Sequence, residues 1–445
     1  MSDRYQHLAG TPLGQLLVKT LGLPNPTMLE RYTAGDPAVC GPILVGGSGL
    51  ARDPAARQIT AAGGDLVTET AEGRVTGLVF DATDLRSTDS LVALQEFFTP
   101  VMRRFEPCAR IVVLGAPPQL ADNAEERVVR RSLEGFTRSL GKEVGRGGTV
   151  QLVYVDPDAI DRLASTLEFL LSPKSAYVSG QVVRIGTDVA APAFDPVERL
   201  RPLADRVALV TGAARGIGEA IARTLHRDGA GIVGVDVPQA AGDLHTLMTE
   251  LGGESVLLDI TSVDSPQRIA RALANHHGGV DIVVHNAGIT RDRKLANMSR
   301  DAWTSVLEVN VAAPTRITQE LIEQGLVRAN GRIVGVASIA GIAGNLGQTN
   351  YATSKAGVIG LVDALRAPAA RHGVTVNAVA PGFIETAMTA KIPALVREVG
   401  RLMNSMSQGG QPVDVAETIA WLADPRSYGV TGNVVRVCGQ SLLGA

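Results

Sequence analysis

The segment PKSAYVSGQVVRI, Pro173 to Ile185, returns 252 positions later as PRSYGVTGNVVRV, Pro425 to Val437. Seven of the 13 aligned positions are identical, and four more exchange like for like (Lys/Arg, Ser/Thr, Gln/Asn, Ile/Val). A whole phrase repeated at that distance makes a 445-residue chain two versions of one design, which constrains the fold more than any composition figure. The echo runs backward from this ending. GPILVGGSGLARDPAARQI (41–59) parallels RVALVTGAARGIGEAIARTL (206–225), and GRVTGLVFDATD (73–84) parallels GGVDIVVHNAGIT (278–290). RIVVLGAPP (110–118) parallels RIVGVASIA (332–340), and SLEGFTRSLGKEV (132–144) parallels AGVIGLVDALRAP (356–368).

In both halves β-branched apolar runs alternate with helical patterns, the mark of βαβ units and a parallel sheet. The expected fold class is therefore α/β, with two doubly wound parallel-sheet (Rossmann-like) domains. The expected organisation is an N-terminal arm over 1–40, a degenerate flavodoxin-like copy over 41–195 and a second copy over 203–445. A linker rich in Pro and charge, APAFDPVERLRPLADR, joins the two copies. The stretch TPLGQLLVKTLGLPNPTMLERY (11–32) matches nothing in the second copy and is expected to form the arm.

Bulk properties exclude several function classes. The chain is 45% hydrophobic and 20% charged, an ordinary globular balance. A net charge of −3 offers no basic field for nucleic acid or anionic membrane. Apolar runs such as GPILVGG are strand-sized, far short of the ~20 residues of a membrane span, and MSDRYQHLAG has no signal-peptide pattern. Cys40, Cys108 and Cys438 are too few and too scattered for a disulfide framework or a zinc site, which suits a reducing cytoplasm. No metal is expected.

The second copy opens with a phosphate-binding device. A strand at Val207–Val210 runs into Thr211-Gly212-Ala213-Ala214-Arg215-Gly216-Ile217-Gly218, and a helix is expected from near Ile217. Gly212 allows the tight turn, Gly216 admits a pyrophosphate to the backbone, and Gly218 lets helix and strand pack closely. The helix N-terminus then offers unpaired N–H groups and the positive end of its dipole. Asp236, 18 positions past Gly218, stands near the spacing at which a carboxylate takes the adenosine ribose hydroxyls. That favours NAD(H). Arg215 could pair with a 2′-phosphate and leaves NADP(H) open. In the first copy the loop reads Gly47-Ser48-Gly49-Leu50-Ala51-Arg52-Asp53, so two glycines are lost and a carboxylate enters the cradle. That copy is expected to bind no dinucleotide.

Further on stand Asn286-Ala287-Gly288, Asn310, Ser338 and Tyr351-Ala-Thr-Ser-Lys355. With TGAARGIG these resemble the short-chain dehydrogenase/reductase family. The texts NAGITRDRKLANMSRDAW and NAVAPGFIETAMT look like its 3-oxoacyl-carrier-protein reductase branch, and the two-copy layout is similar to that branch's high-molecular-weight members. The strong likeness covers about 205–445. It implies a catalytic set of Asn310, Ser338, Tyr351 and Lys355. It also implies cofactor contacts from Asp259, Asn286, Ala287, Gly288, Pro381, Gly382, Ile384 and Thr386, besides Tyr351 and Lys355.

Residue chemistry supports that reading. Reducing a ketone needs hydride at carbon and a proton at oxygen. Tyr351 would give the proton, although a free phenol has a pKa of ~10. Lys355 lies on the same helical face, and an ammonium about 4 Å away would lower the phenol by ~4 kcal/mol at an effective dielectric of 20. The resemblance adds that Lys355 grips the nicotinamide ribose, Ser338 orients the carbonyl and Asn310 holds a water chain. In the first copy Glu126, Arg130 and Ala116 stand at the Tyr351, Lys355 and Ser338 places, and Ala82-Thr83-Asp84 at the NAG place.

The expected function is NADH-dependent reduction of 3-oxoacyl thioesters on carrier protein or coenzyme A. The alternatives are a 3-hydroxyacyl-coenzyme A dehydrogenase, another short-chain alcohol dehydrogenase, or a scaffold protein. After Pro381-Gly382, the segment 383–411 carries Met388, Met403 and Met406 where the family has a substrate lid. Arg328 and Arg371 lie beside the places by which relatives dock an acidic carrier, themselves Ala329 and His372 here. The first copy is expected to act as a built-in partner subunit, so that a homodimer of chains mimics the family's tetramer.

Overall fold

A computed structural model describes residues 11, 20, 26–39, 41–68, 72–192, 200–387, 389–391 and 394–442. The chain forms two compact units. The first comprises Met1–Thr187 with Phe383–Gly410 and Val437–Leu442; the second comprises Asp188–Gly382 with Gln411–Arg436 and Leu443–Ala445.

The first unit runs β1 (Pro42–Gly47), α1 (Arg52–Ala61), β2 (Asp65–Val67), β3 (Val75–Asp81), α2 (Val92–Val101), β4 (Phe105–Gly115), α3 (Ala124–Glu143), β5 (Thr149–Val155), α4 (Ala164–Leu170) and β6 (Val182–Ile185). The order continues with β7 (Val207–Thr211), α5 (Gly216–Arg227), β8 (Gly231–Asp236), α6 (Ala241–Leu251), β9 (Glu254–Leu257), α7 (Ser265–His277), β10 (Val280–His285) and α8 (Arg300–Leu307). It ends with α9 (Ala313–Glu323), β11 (Val327–Val336), α10 (Ile339–Ala343), α11 (Thr349–Ala370), β12 (Thr375–Pro381), α12 (Ala394–Leu402), α13 (Pro412–Ala423) and β13 (Val434–Val437). The two sheets have the orders β2-β1-β3-β4-β5-β6 and β13-β12-β11-β10-β7-β8-β9. Their central strands pair in parallel and are almost wholly buried, as βαβ crossovers require.

The first sheet lacks a counterpart of β9. Only residues 68–74 separate β2 from β3, too few for another helix–strand pair, whereas α6, β9 and α7 fit between β8 and β10. Each sheet carries its own apolar core, one around Leu78, Ile111, Val113 and Leu152, the other around Leu209, Val233, Val283 and Ile333.

The repeated phrase is kept because it builds the same hydrogen bonds twice. Val150 takes a bond from Gly180 N (2.8 Å) just as Val376 takes one from Gly432 N (2.8 Å), and both glycines have positive φ (69° and 73°). Asn377 gives Nδ2 to Val430 O and receives Asn433 N; Gln151 makes the matching pair with Val178 O and Gln181 N. Arg110 in β4 and Arg332 in β11, both buried midway along their strands, donate Nε to Ser172 O and Asp424 O, beside the two proline turns. Burial holds the Arg332 guanidinium down at about 10.

Sheet register also corrects the alignment of the copies. Ile43 faces Gly77 as Ala208 faces Ile282, which sets Asp81-Ala82-Thr83, not Ala82-Thr83-Asp84, against Asn286-Ala287-Gly288. The expected arm lies largely outside the described residues. Within it, Thr27 and Glu30 accept bonds from Gln408 and Arg110, and Leu29 and Val39 are buried. Cys40 and Met388 lie outside the described residues, as do residues 193–199 of the linker. Among the described residues no helix is long and apolar enough to cross a membrane, and no cluster of His, Cys, Asp or Glu could hold a metal ion.

Candidate active site

At the end of β7 the chain turns through Gly212 (φ 67°) and Gly216 (φ 63°) into α5. A side chain at Gly218 would overlap the Gly212 carbonyl, and one at Gly212 would come within 2.9 Å of the Ala287 backbone. At Gly216 a Cβ would meet nothing within 4 Å, so the space beside the helix N-terminus is open. The residues present therefore fit a pyrophosphate. Asn286 fastens this loop: its Nδ2 donates to Thr211 O and Gly212 O, both at 3.0 Å. Thr211 Oγ1 accepts Asn286 N and Ala287 N at 3.1 Å, a role that the sequence reading missed. The only sequence signal for it is a hydroxyl at the end of β7.

Asp236, partly exposed at the end of β8, accepts Ala214 N at 2.9 Å and Val237 N at 2.8 Å. It is thus a turn-forming residue of the loop, whatever else it binds. Arg215 is exposed in extended backbone before α5, and Ile217 is half-buried in its first turn. Asp259 caps the turn after β9, taking Thr261 N and Oγ1 at 2.9 and 2.7 Å.

Asn310 sits in a π-helical turn, Glu308–Ala312, a distortion that recurs at functional sites because it re-aims one side chain. Its Oδ1 accepts Ile289 N (2.9 Å), and its Nδ2 reaches Ile289 O (3.1 Å) and Ser354 Oγ (2.9 Å). Asn310 therefore clamps the segment after Gly288 to α11. Asn350, another residue unforeseen from sequence, is fully buried; it donates to Arg291 O and Ala302 O and caps Tyr351 N at 2.8 Å.

Ser338 begins α10, where its Oγ accepts Ala340 N at 3.1 Å. Its hydroxyl also favours ionisation of the Tyr351 phenol. Burial pushes the Tyr351 phenol up; Ser338 opposes this and the nearby Asp292 carboxylate adds to it. Lys355 is buried and pushed down to about 8 by desolvation. Its Nζ donates to Val336 O at 2.7 Å and lies 5.7 Å from the Tyr351 ring centre. A side chain at Gly288 would touch both Lys355 Nζ (3.3 Å) and Asn310 Oδ1 (3.4 Å), so glycine there keeps the floor of the site open. A phenol kept protonated is the form that gives a proton.

Asn286, Gly288, Asn310, Ser338, Tyr351 and Lys355 thus meet in one unit, with Pro381 and Gly382 closing β12 in the same unit. Ile384 and Thr386 belong to the other unit, where Ile384 pairs with Gly410 and Thr386 N bonds Thr389 Oγ1.

The family profile described as Enoyl-(Acyl carrier protein) reductase matches residues 212–439. The chain belongs to the short-chain dehydrogenase/reductase family. Among its relatives, the 3-oxoacyl-[acyl-carrier-protein] reductase FabG of Vibrio cholerae is 38% identical over 237 residues, 53% of this chain and 97% of the relative. Nodulation protein G of Rhizobium meliloti is 44% identical over 239 residues, and the Escherichia coli FabG 36% over 246, each at 53% of this chain. As a member of this family the chain is an oxidoreductase that takes a nicotinamide cofactor.

In the first copy other residues stand at these places. Glu126 and Arg130, at the Tyr351 and Lys355 places, form a buried ion pair at 2.6 Å. Asp81, at the Asn286 place, is buried beside the first turn of α1, and desolvation pushes its carboxyl up.

Proposed function

We propose that the second copy reduces the ketone of 3-oxoacyl thioesters, on carrier protein or coenzyme A, to the 3-hydroxyacyl product, with NADH as reductant. The observation that carries this is half-buried Tyr351, its ionisation favoured by Ser338, followed one turn later by buried Lys355. Gly212, Gly216, Gly218 and the α5 N-terminus would hold the pyrophosphate, Asp236 the adenosine ribose, and Asn286–Gly288 the floor beneath the ring. When bound, the nicotinamide supplies the two electrons that reduce the carbonyl carbon. Ser338 Oγ and Tyr351 Oη hydrogen-bond the carbonyl oxygen, and Tyr351 donates its proton as charge develops there. Lys355, in a site with little water to screen it, offsets the phenolate that remains.

Carrier docking through Arg328 has little support, since its guanidinium pairs with Asp281 and donates to His277 O. The test is oxidation of NADH and of NADPH by acetoacetyl-coenzyme A, with crotonyl-coenzyme A as the double-bond control. Turnover of the ketone with NADH, lost by about 10³-fold or more in Tyr351→Phe, is the expected result. Preference for NADPH would give the ribose place to Arg215, and turnover of crotonyl-coenzyme A alone would overturn the ketone reading.

A further inference from the structure

Tyr351 is held on both sides by buried side chains of its own unit, and one of them lies outside the catalytic set. Asn350, in the first turn of α11, is fully buried. Its Oδ1 accepts Tyr351 N at 2.8 Å, one of the N–H groups that a helix start leaves without a partner. Its Nδ2 donates one proton to Arg291 O and the other to Ala302 O, each at 3.0 Å. A single side chain thus joins Tyr351 to the segment after Gly288 and to α8. On the other side Ser354 Oγ donates to Tyr351 O at 2.7 Å and accepts Asn310 Nδ2 at 2.9 Å. The same segment is fastened to the start of α11 by Arg293 N, which donates to Gly347 O at 2.8 Å, and by Asp292, which accepts Gln348 Nε2 at 2.8 Å. In the first copy Glu125 stands at the Asn350 place, exposed, with Oε1 accepting Thr88 N and Oγ1. A carboxylate there donates nothing, so the double donor accompanies the tyrosine and not its replacement, Glu126.

We infer that Asn350 is a positioning residue for the reaction: it fixes the start of α11 against Arg291 and Ala302, and so sets where Tyr351 presents its proton. Its amide is spent on three protein partners, so it acts through Tyr351. This rests on the proton-donor role proposed for Tyr351. Misplacing a reacting group by about 1 Å costs on the order of 10²-fold in rate. The effect falls on turnover and not on binding, because the phenol gives up its proton only as the transition state forms.

The test compares Asn350→Ala with Asn377→Ala, which removes another fully buried amide of the same unit, one that donates to Val430 O and accepts Asn433 N. In Asn350→Ala, amide hydrogen exchange at Tyr351 and over 289–293 should quicken by about tenfold. The kcat for acetoacetyl-coenzyme A should fall by about 30-fold with KM nearly unchanged. The solvent deuterium isotope effect on kcat should rise, because proton delivery becomes limiting. Asn377→Ala should do none of these. Unchanged exchange would overturn the anchor. Faster exchange with an unchanged kcat, or an equal fall of kcat in Asn377→Ala, would overturn the positioning role. If Asn350→Ala does not fold, Asn350→Ser answers the same question, since one hydroxyl proton cannot serve both carbonyls. Its kcat should fall by about fivefold or more, and an unchanged value would count against the role in the same way. If the wild type reduces no acetoacetyl thioester, the ketone reading fails on its own, and the exchange comparison still decides whether Asn350 fixes Tyr351.

Discussion

Lys355 shows how a site residue works against stability. Its ammonium is buried with one carbonyl partner, and desolvation lowers its folded pKa to about 8, against 10.5 in the unfolded chain. At pH 7 the group is charged in both states, so the folded protein carries the full cost, which fades as pH rises from about 8 to 10.5. Lys355→Met should therefore raise stability at pH 7 by about 2 kcal/mol in chemical denaturation while abolishing turnover. In the wild type, kcat/KM should bend down above about pH 8 as free Lys355 loses its proton. His285 has the same sign in a lower pH window. It is buried at the end of β10 with Nε2 on Thr318 Oγ1, and desolvation lowers its pKa from 6.5 to about 4. Folding must keep it neutral, so stability is full above about 6.5 and is lost as pH falls toward 4. The stability gap between pH 7 and pH 5 should shrink by about 2 kcal/mol in His285→Gln.

At the scale of elements, the glycine loop, the Tyr351–Lys355 helix and the alternating strands were readable because each follows from local residue types at fixed spacing. The Asn286–Gly212 clasp was not, since a bond across 74 positions leaves no periodic trace. The one-residue slip in matching Asp81 to Asn286 has the same origin: register is set by strand pairing and not by residue likeness. The missing strand of the first sheet could have been read from the brevity of 68–74. The first copy fills the places that match the catalytic set. The buried Glu126–Arg130 pair took the catalytic positions, with Arg130 also bonded to Pro117 O. Glu126→Gln leaves that arginine uncompensated and should cost about 3 kcal/mol or more of stability. Cofactor affinity of the surviving protein should not change.

At the scale of the molecule, the repeat was visible in the sequence, but the sharing of one segment between copies was not. Phe383–Gly410 lies in the second copy by sequence and in the first unit by packing, because Tyr177, Asn404 and Gln408 satisfy one another there. The account also proposes a chain dimer that stands in for a tetramer, so sedimentation should show a species of twice 46.5 kDa, and a stable monomer would sink that part. The central claim is that duplication left one working site per chain. Equilibrium titration with the nicotinamide cofactor tests it most directly. One equivalent bound per chain, abolished by Gly216→Asp and untouched by Glu126→Gln, is the result expected; two equivalents, or binding that survives Gly216→Asp, would contradict it.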